Sequence, residues 1–440
     1  KIARIFNPKI RSGFDRRVVQ NQFLIEEINN LDLSKKMVWF HSASLGEFEQ
    51  AKPIIERLRN DKNVNILVTF FSPSGYDNSR KYPHADLIAY LPFDSVSSVK
   101  KFLEIINPSV IIFMRYDIWP NLLWQLGERK IPTMIVDATM LKNSNRKLPL
   151  VKGFHISLYK CFTDFLTVTK EDAKSFLDFK ISDNKIKAVG DTRFDRVYQK
   201  SLQAKSKKLF RDNIFDGKKI FVFGSSWEED ENIIFPAFEK LLEKDKNVVM
   251  IVAPHEPTVM HIENIEHYFA KKFSTIRFSS KNKYDGENVV IIDSIGILLT
   301  LYFYADVAYV GGSFKQGIHN VLEPAVYGIP VIFGPKIDYS LEAQELVKRG
   351  ASKIIKTTEE ATEILIELFG DLNKRQQLGK IASGYVNENI GASVKIISEI
   401  EKYLWSSGKK KVSIRHLFIE NIKSNISYTY LSYHQDILSH

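Results

Sequence analysis

The sequence contains little cysteine, no long apolar run and none of the short motifs that bind zinc or triphosphates. Its single cysteine, Cys161, excludes an internal disulfide framework and fits a reducing compartment, so we interpret it as a small core residue. The best apolar run, 294–305, is shorter than the ~18 residues that span a bilayer and is expected to be a buried element. No HExxH, paired CxxC or Walker A pattern occurs, so a mechanism without metal or cofactor is favoured.

What is present describes a folded protein with an excess of positive charge. Hydrophobic residues make up 44% and aromatic residues 12% of the chain, which a disordered protein would not reach. A length of 440 residues predicts two domains. The net charge of +10 implies an acidic partner, namely nucleic acid, an anionic membrane or a phosphorylated substrate, and charge by itself does not decide among them.

Cations are concentrated in the opening stretch 1–17, which carries six of them against Asp15 alone, with apolar residues such as Ile2 and Phe6 in between. Such a segment can lie on anionic headgroups, and it can equally be a solvated basic end. The first residue is Lys rather than Met, so we expect a chain whose original N-terminus is not part of this sequence.

Short β-branched runs alternate with longer amphipathic stretches along most of the chain. Strands that alternate with helices predict parallel sheets covered on both faces, so both halves are expected to be doubly wound α/β units. The first half is expected to end near Lys187, where a further strand begins, and no function is assigned to the stretch from 406 onward. The other predicted strands are 37–40, 65–71, 110–113, 133–136, 219–223, 248–252, 289–292, 307–310 and 330–333.

The strongest motif is GGSFKQGIHNVLEPAVYGIPVIFGP at 311–335, where a strand runs into Gly311 and Gly312 and a helical pattern follows from His319. Glycines at a strand end let the backbone approach a ligand, and a helix N-terminus there attracts phosphate. His319 and Glu323 would share a helical face, where the carboxylate could accept both hydroxyls of a ribose. A purely structural turn is the alternative, because turns use glycine widely.

The first half repeats this arrangement in WFHSASLGEFEQAK, where Glu47 lies in the first turn of a helix that follows the strand 37–40. One interpretation of Glu47 is structural, because a carboxylate there complements the helix dipole or caps the helix. The other is a general base that takes a proton from an attacking hydroxyl. The dipole would lower the pKa of Glu47 and burial would raise it, so both interpretations stay open.

Further polar groups are predicted at strand ends in both halves. Arg193 could neutralise a leaving phosphate. Trp119 and Trp227 are interpreted as core or rim aromatics rather than stacking platforms, and the acidic run 228–231 as the solvent-exposed N-terminal face of a helix. The remaining strand-end segments are 72–75, 116–121, 225–226 and 255–256.

These residues together resemble the 3-deoxy-D-manno-octulosonic acid (Kdo) transferases of lipopolysaccharide synthesis, over about residues 1–405. The resemblance implies a GT-B fold, in which two Rossmann-like domains face each other across a central cleft. Four motifs carry it: HSASLGE at 41–47, WPN at 119–121, ADVAYVGGSF at 305–314 and HNVLEPAVYGIPVIFGP at 319–335. The domains it implies are an acceptor-binding domain at 1–187, a CMP-Kdo-binding domain at 188–392, a helix at 393–405 that crosses back to the first domain, and a tail of unknown role at 406–440.

The resemblance also implies residue roles in an inverting reaction that uses no metal or cofactor. Glu47 becomes the catalytic base, and Glu323 takes the ribose hydroxyls. The other donor-binding residues it implies are Arg193, His255, Gly312, Ser313, His319 and Asn320, and the acceptor-binding residues are Ser44, Gly46, Ser72 and Asn121.

Three segments depart from the commonest family pattern. Residues 115–117 read Arg-Tyr-Asp where many members have Glu-x-Glu before WPN. Residues 253–257 read Ala-Pro-His-Glu-Pro where many have Pro-Arg-His-Pro-Glu, so the usual donor-binding Arg has no clear counterpart. Residues 136–138 replace a segment that contains Asn.

The expected function is transfer of Kdo from CMP-Kdo to a lipid A precursor at the cytoplasmic face of the bacterial inner membrane. The basic opening stretch would lie on that anionic surface, and an N-terminal anchor is expected to be missing from this chain. A second hypothesis keeps the fold but uses a UDP-sugar, as a transferase or an epimerase. A third, a basic nucleic-acid-binding or membrane-binding protein without catalysis, explains the charge but not two strand-glycine-helix sites, so nucleic acid is not expected as a partner.

Overall fold

The computed structural model describes residues 17, 20–21, 23–60, 63–315 and 317–405. They form two parallel sheets of seven strands each, with helices and an apolar core on both faces of either sheet. The predicted doubly wound α/β architecture is thereby confirmed. Among the described residues, no helix is both long enough and apolar enough to cross a membrane. The expectations for the opening stretch to residue 16 and for the tail from 406 lie outside these residues.

The first sheet has the strand order β3-β2-β1-β4-β5-β6-β7. Its central strands are buried on both faces, as parallel strands between two helix layers must be, and they therefore read as continuous apolar runs. The strands are β1 (Lys36–Ser42), β2 (Val64–Phe70), β3 (Leu87–Tyr90), β4 (Val110–Met114), β5 (Thr133–Ala138), β6 (Asp164–Thr167) and β7 (Ile186–Ala188). The helices are α1 (Leu45–Asn60), α2 (Pro73–Ser79), α3 (Val96–Ile106), α4 (Pro120–Glu128), α5 (Pro149–Tyr159) and α6 (Lys170–Leu177).

The second sheet has the order β10-β11-β9-β8-β12-β13-β14 and is also parallel throughout. Its strands are β8 (Lys219–Ser226), β9 (Val248–Pro254), β10 (Thr275–Arg277), β11 (Val289–Ile291), β12 (Val307–Val310), β13 (Val331–Phe333) and β14 (Ser352–Ile354). The helices from the connection onward are α7 (Thr192–Lys205), α8 (Glu228–Lys244), α9 (Val259–Phe269), α10 (Leu298–Leu301), α11 (Leu322–Ala325), α12 (Leu341–Lys348), α13 (Thr358–Gly370), α14 (Leu372–Asn389) and α15 (Ala392–Leu404).

The nine strands predicted besides the one near Lys187 all correspond to observed strands, whereas β3, β6, β10 and β14 were not predicted. Two of these four, β10 and β14, are edge strands that contain polar residues, so they give no continuous apolar run. The strand near Lys187 is β7, and it pairs with β6, so it is the last strand of the first sheet. The run 294–305 is only partly the buried element that was expected, because Leu301 is buried while Ile295 is 80% exposed.

In both sheets, the chain first adds strands on one side of its first strand and then adds the later strands on the other side. This switch point lies between β1 and β4 in the first sheet and between β8 and β12 in the second. Open α/β sheets bind ligands beyond the carboxyl ends of the strands at such a point. The HSASLGE motif follows β1 and the GGSF motif follows β12, so both motifs lie where this rule places a site.

Helix α7 connects the two halves through charged contacts. Arg196 Nε donates to Glu49 Oε2 of α1 at 2.9 Å, and Lys200 Nζ lies 2.8 Å from the same oxygen. Asp195 accepts hydrogen bonds from the Ala392 backbone N–H at 3.1 Å and from the Ser393 hydroxyl at 2.7 Å. A carboxylate at this place satisfies free N–H groups at the start of α15.

The last described helix, α15, packs on the first sheet rather than on the second. Ile396, Ile400 and Leu404 belong to the same apolar core as Val38 and Phe40 of β1. The chain therefore returns to its first half at the end. The domain bounds given above stay a prediction.

Candidate functional site

The two glycines after β12 let the backbone pass directly against the end of β8. A Cβ atom on Gly311 would lie 2.1 Å from the carbonyl oxygen of Ser225, and one on Gly312 would lie 2.5 Å from that of Gly317. Gly312 also has a φ of 96°, in the left-handed region that side-chain-bearing residues rarely adopt. Close approach and backbone conformation therefore both require glycine at this turn.

A buried carboxylate from α8 holds the turn in place. Asp230 accepts a hydrogen bond from the Tyr309 hydroxyl at 2.8 Å and another from the Gly312 backbone N–H at 2.8 Å. Burial raises the pKa of Asp230 to about 6, although both hydrogen bonds favour the ionised form. Because Gly312 N–H is engaged by Asp230, it is not free to bind a phosphate.

The prediction that the acidic run 228–231 faces solvent was wrong for two of its members. Asp230 and Glu231 are both buried, and Glu231 accepts a hydrogen bond from the Ser226 hydroxyl at 2.6 Å. The physical reason is that α8 begins beneath the loops at the edge of the sheet, where these carboxylates satisfy polar groups that the fold removes from water.

The helix that was predicted to begin at His319 begins three residues later. The His319 backbone N–H donates to Gly311 at 3.2 Å and folds the segment back on itself, and Asn320 Oδ1 accepts from Leu322 N at 3.2 Å. An Asn side chain that bonds the backbone two residues on competes with a helix, so α11 starts only at Leu322. The predicted helical face shared by His319 and Glu323 is therefore wrong.

Three aromatic rings from three different loops stack beside this turn. The ring centroid of His255 lies 4.7 Å from that of Trp227 and 4.4 Å from that of His319. The indole N–H of Trp227 donates to Nε2 of His319 at 3.0 Å. Desolvation, assisted by the neighbouring His255, lowers the pKa of His319 to about 4. The structure thus brings two residues of the predicted donor set together and makes Trp227 a stacking residue, contrary to its interpretation as a core or rim aromatic.

Glu323 and Asn320 lie beside each other at the start of α11. Asn320 Nδ2 donates to Glu323 Oε1 at 3.2 Å. Burial raises the pKa of Glu323, and the nearby ammonium of Lys200 acts in the opposite direction. Since Lys200 also pairs with Glu49, it links the neighbourhood of Glu323 to the first half of the molecule.

Ser313 and Arg193, also in the predicted donor set, are occupied by contacts within the protein. Ser313 is fully buried, and its hydroxyl accepts from Gly334 N at 2.6 Å, which connects the loop after β12 to the end of β13. The guanidinium of Arg193 pairs with Asp191 at 2.6 Å and with Glu342, and 37% of its side chain is exposed. The charge of Arg193 is therefore already compensated by two carboxylates.

In the first half, Glu47 bends back over the turn that precedes its helix. Its Oε2 accepts hydrogen bonds from Ala43 N at 2.5 Å and from Ser44 N at 3.2 Å. Burial raises the pKa of Glu47 despite these two hydrogen bonds, and the charge of Asp117 raises it further. In the part of the chain that the structure describes, Oε1 has no hydrogen-bond partner. Glu47 can therefore hold the turn with Oε2 and act as a general base with Oε1, so its structural and its catalytic interpretation are compatible.

A chain of hydrogen bonds that the sequence analysis missed lies next to Glu47. The indole of Trp39 donates to the Thr69 hydroxyl at 2.8 Å, and this hydroxyl contacts His41 Nδ1 at 2.9 Å. On the other side of the ring, His41 Nε2 lies 2.7 Å from Asp117 Oδ2. The Thr69 hydroxyl can accept from Trp39 and still share a hydrogen bond with His41 Nδ1, so the imidazole is held between Thr69 and Asp117.

The position of Asp117 contained a signal that could have revealed this network. His41 is the second-last residue of β1 and pairs with Phe113 of β4, so the residues that follow β4 lie beside it. Asp117 also accepts from the indole of Trp119 at 2.9 Å, and these hydrogen bonds lower the pKa of Asp117 although burial alone would raise it. A carboxylate three residues after one central strand, next to a histidine in the other, predicts such a pair.

The residues predicted to bind the acceptor surround this part of the first sheet. Ser44 and Gly46 are exposed on the turn before Glu47. Ser72 caps α2, where its hydroxyl accepts from Gly75 N at 3.1 Å. Asn121 Nδ2 donates to the Asp94 carbonyl at 2.7 Å and so connects two loops. Their role toward a ligand stays a prediction.

Two Rossmann-like halves, each with polar groups at its switch point, define a GT-B fold. Solved structures agree on the fold. The UDP-GlcNAc 2-epimerase from Neisseria meningitidis, in complex with UDP-GlcNAc, superposes with a TM-score of 0.58 at 17% identity, over 84% of this chain and 100% of that one.

Sequence comparison identifies the family. The profile described as 3-deoxy-D-manno-octulosonic-acid transferase (kdotransferase) matches residues 14–196. The 3-deoxy-D-manno-octulosonic acid transferase of Aquifex aeolicus is 31% identical over 357 residues, which cover 80% of this chain and 90% of that protein. Its counterpart from Haemophilus influenzae is 27% identical over 374 residues, covering 83% and 87%. The chain belongs to the Kdo transferase family and is a glycosyltransferase, which confirms the resemblance.

Proposed function

We propose that this protein transfers Kdo from CMP-Kdo to a hydroxyl group of a lipid A precursor, as an inverting glycosyltransferase. The observation that carries the proposal is the Glu47 carboxylate at the switch point of the first sheet. One of its oxygens is held by two backbone N–H groups, the other has no partner among the described residues, and its pKa is raised. A base of raised pKa in a partly dry cleft is suited to proton abstraction near neutral pH.

In the proposed reaction, Glu47 Oε1 takes the proton of the acceptor hydroxyl as its oxygen attacks the anomeric carbon of Kdo. The bond from that carbon to the phosphate oxygen breaks, and CMP leaves with the electron pair. The ribose of the donor would be held by Glu323, and its phosphate would lie against His319 and His255. A closing motion of the two halves about α7 would keep water from the donor.

The charge of Asp117 gives this mechanism a measurable pH dependence. Asp117 adds to the raised pKa of Glu47, behind the larger effect of burial. A base must be ionised, so activity falls as pH drops through the pKa of Glu47. We expect Asp117→Asn to lower this pKa and to shift the acid limb of kcat/KM to lower pH by a fraction of a unit. An acid limb that stays in place or moves upward in the pH profile would contradict the assignment.

A surface on α5 and the loop before it supports contact with an anionic membrane. Leu148, Val151 and Phe154 are exposed apolar residues, and Leu150 is 98% exposed. Residues 140–160 contain five Lys or Arg and no carboxylate. Basic charge around exposed apolar side chains is the combination that binds anionic bilayers.

The same surface borders the cleft of the first half. It follows β5, which neighbours β4 in the sheet, and the Arg146 guanidinium lies 5.6 Å from the ring centroid of Tyr116, next to Asp117. A lipid-linked acceptor held in the membrane at the cytoplasmic face would then reach Glu47 from this side.

The double variant Leu150→Asp and Phe154→Asp should weaken binding to vesicles of mixed zwitterionic and anionic lipid by about tenfold or more, because it replaces buried apolar contact by charge. Vesicle co-sedimentation measures the effect. The matched control is Val259→Asp with Leu372→Asp, which replaces two exposed apolar residues of the second half and should bind as the wild type does. Equal binding by all three proteins would exclude α5 as the contact.

The donor and the acceptor are tested directly by incubating the protein with a defined lipid A precursor. With CMP-Kdo we expect a mass increase of one or more Kdo units in the product, and with UDP-N-acetylglucosamine we expect none. Turnover of the UDP-sugar alone, as transfer or as epimerisation, would overturn the proposal.

A further inference from the structure

The contact between Trp227 and His319 is an edge-to-edge hydrogen bond between two nearly coplanar rings. The planes differ by 5°, the centroids are 6.4 Å apart, and indole Nε1 lies 3.0 Å from imidazole Nε2. His255 lies flat across both rings, with interplanar angles of 24° to Trp227 and 22° to His319. The hydrogen bond is thus covered by a third ring.

The direction of this hydrogen bond determines where His319 carries its proton. An indole nitrogen can only donate, so His319 Nε2 must accept with its lone pair. A neutral imidazole that accepts at Nε2 carries its proton at Nδ1. Within the described residues Nδ1 has no hydrogen-bond partner, so its N–H group is available to a ligand.

We propose that Trp227 is a positioning residue for donor binding, which holds His319 as its Nδ1–H tautomer so that this N–H faces a phosphate oxygen of the nucleotide. The identity of the nucleotide rests on the proposed function, whereas the tautomer does not. If the indole N–H is removed, the proton can move to Nε2. Nδ1 then presents a lone pair to the phosphate, and two acceptors face each other.

The surroundings of His319 keep the ring in this orientation. A Cβ atom on Gly312 would lie 2.8 Å from Cδ2 of His319, so only glycine leaves room for the ring. The charged groups nearby are Lys315 and Glu229, which pair with each other at 2.8 Å, and the Lys315 ammonium lies 5.2 Å from the Trp227 ring centroid. Because their charges compensate each other, the hydrogen bond from Trp227 determines the tautomer of His319.

The first experiment reads the tautomer in the ligand-free, full-length protein. Long-range proton–nitrogen NMR spectra of 15N-labelled protein, with the His319 signals assigned from His319→Gln, should show Nδ1 protonated and Nε2 unprotonated at pH 7.5. In Trp227→Phe, which keeps a ring for stacking, we expect a mixture of both tautomers. Protonation of Nε2 in the wild type would overturn the proposal, whether or not the protein transfers Kdo.

The second experiment measures binding of CMP by calorimetry from pH 5.5 to 8 in both proteins. At pH 8 the ratio of the variant Kd to the wild-type Kd should be about ten, the effect of losing one hydrogen bond to a charged group. Toward pH 5.5 this ratio should fall, because a bound phosphate raises the pKa of His319 above its ligand-free value of about 4. In the variant the protonated ring then donates from both nitrogens, whereas in the wild type the Trp227 N–H opposes protonation of Nε2. Using the ratio at each pH removes the ionisation of CMP itself.

A purely structural role of Trp227 would give a different result. Loss of packing weakens binding by the same factor at every pH, so a constant ratio above one, or a ratio of one throughout, would contradict the proposal. Trp405→Phe, at the exposed end of α15, serves as the matched control and should bind CMP as the wild type does. If the wild type binds no CMP but shows the Nδ1–H tautomer, the proposed donor is wrong while the tautomer assignment stands.

Discussion

Glu47→Gln should lower kcat for Kdo transfer by about a thousandfold, within the range that general bases contribute. Glutamine can still accept the hydrogen bonds from Ala43 and Ser44 through its amide oxygen, so the turn should stay intact. It cannot take a proton from the acceptor. Single-turnover transfer to a lipid A precursor measures the loss, and calorimetry should show that CMP binds as it does to the wild type.

The comparison with Glu47→Ala separates the catalytic role of Glu47 from its structural one. Alanine removes both, and the loss of the cap should lower the free energy of unfolding by about 1 kcal/mol. The control Glu104→Gln changes an exposed carboxylate and should alter neither kcat nor stability. Near-normal transfer by Glu47→Gln together with an impaired and less stable Glu47→Ala would show that Glu47 only caps its helix.

Asp230→Ala should have the largest effect on the donor half. It leaves the Gly312 N–H buried without a partner and removes the carboxylate acceptor of the Tyr309 hydroxyl, and each such loss costs about 1–3 kcal/mol. We therefore expect a loss of about 3 kcal/mol in unfolding free energy, measured in urea. Gly312 leaves the space that the His319 ring occupies, so a displaced Gly312 would also displace His319. We therefore expect the affinity for CMP to fall by about a hundredfold.

Two variants test whether the loss of the buried Asp230 hydrogen bonds causes this effect. Glu228→Ala lies two residues away on the exposed side of the same helix turn and should leave stability and CMP affinity unchanged. Asp230→Asn keeps one acceptor oxygen and should give an intermediate result. An Asp230→Ala protein that binds CMP with unchanged affinity would exclude a role for the Asp230 contacts in shaping the donor site.

The parts of the fold that could be predicted are those in which local pattern and burial agree. Strands such as β4 and β9 are continuous apolar runs because both of their faces are covered, and the alternation with helices then requires parallel order. The strand ends were predictable for the same reason, which is why Glu47 and Gly312 could be selected as site residues. Edge strands such as β10 contain polar residues and therefore give no continuous apolar run.

The predictions that were wrong concern side chains whose partners are distant in sequence. The sequence of residues 228–231 is typical of a solvent-exposed helix start. Only the contact with the loop after β12 makes Asp230 a buried hydrogen-bond acceptor. Likewise, no local pattern shows that the indole of Trp227 reaches His319, which is 92 positions further along the chain. A local hydrogen bond that Asn320 Oδ1 accepts from the Leu322 N–H also moved the start of α11, against an apparent helical spacing.

By itself, the sequence determined the class of fold, the family, and the two glycine-rich strand ends where ligands are expected, because apolar periodicity and short motifs are local properties. Only the tertiary structure decided which oxygen of Glu47 is left for a substrate, that Arg193 is already paired, and which nitrogen of His319 carries the proton. Those properties depend on desolvation and on hydrogen bonds between loops, and both exist only once the two sheets have brought the loops together.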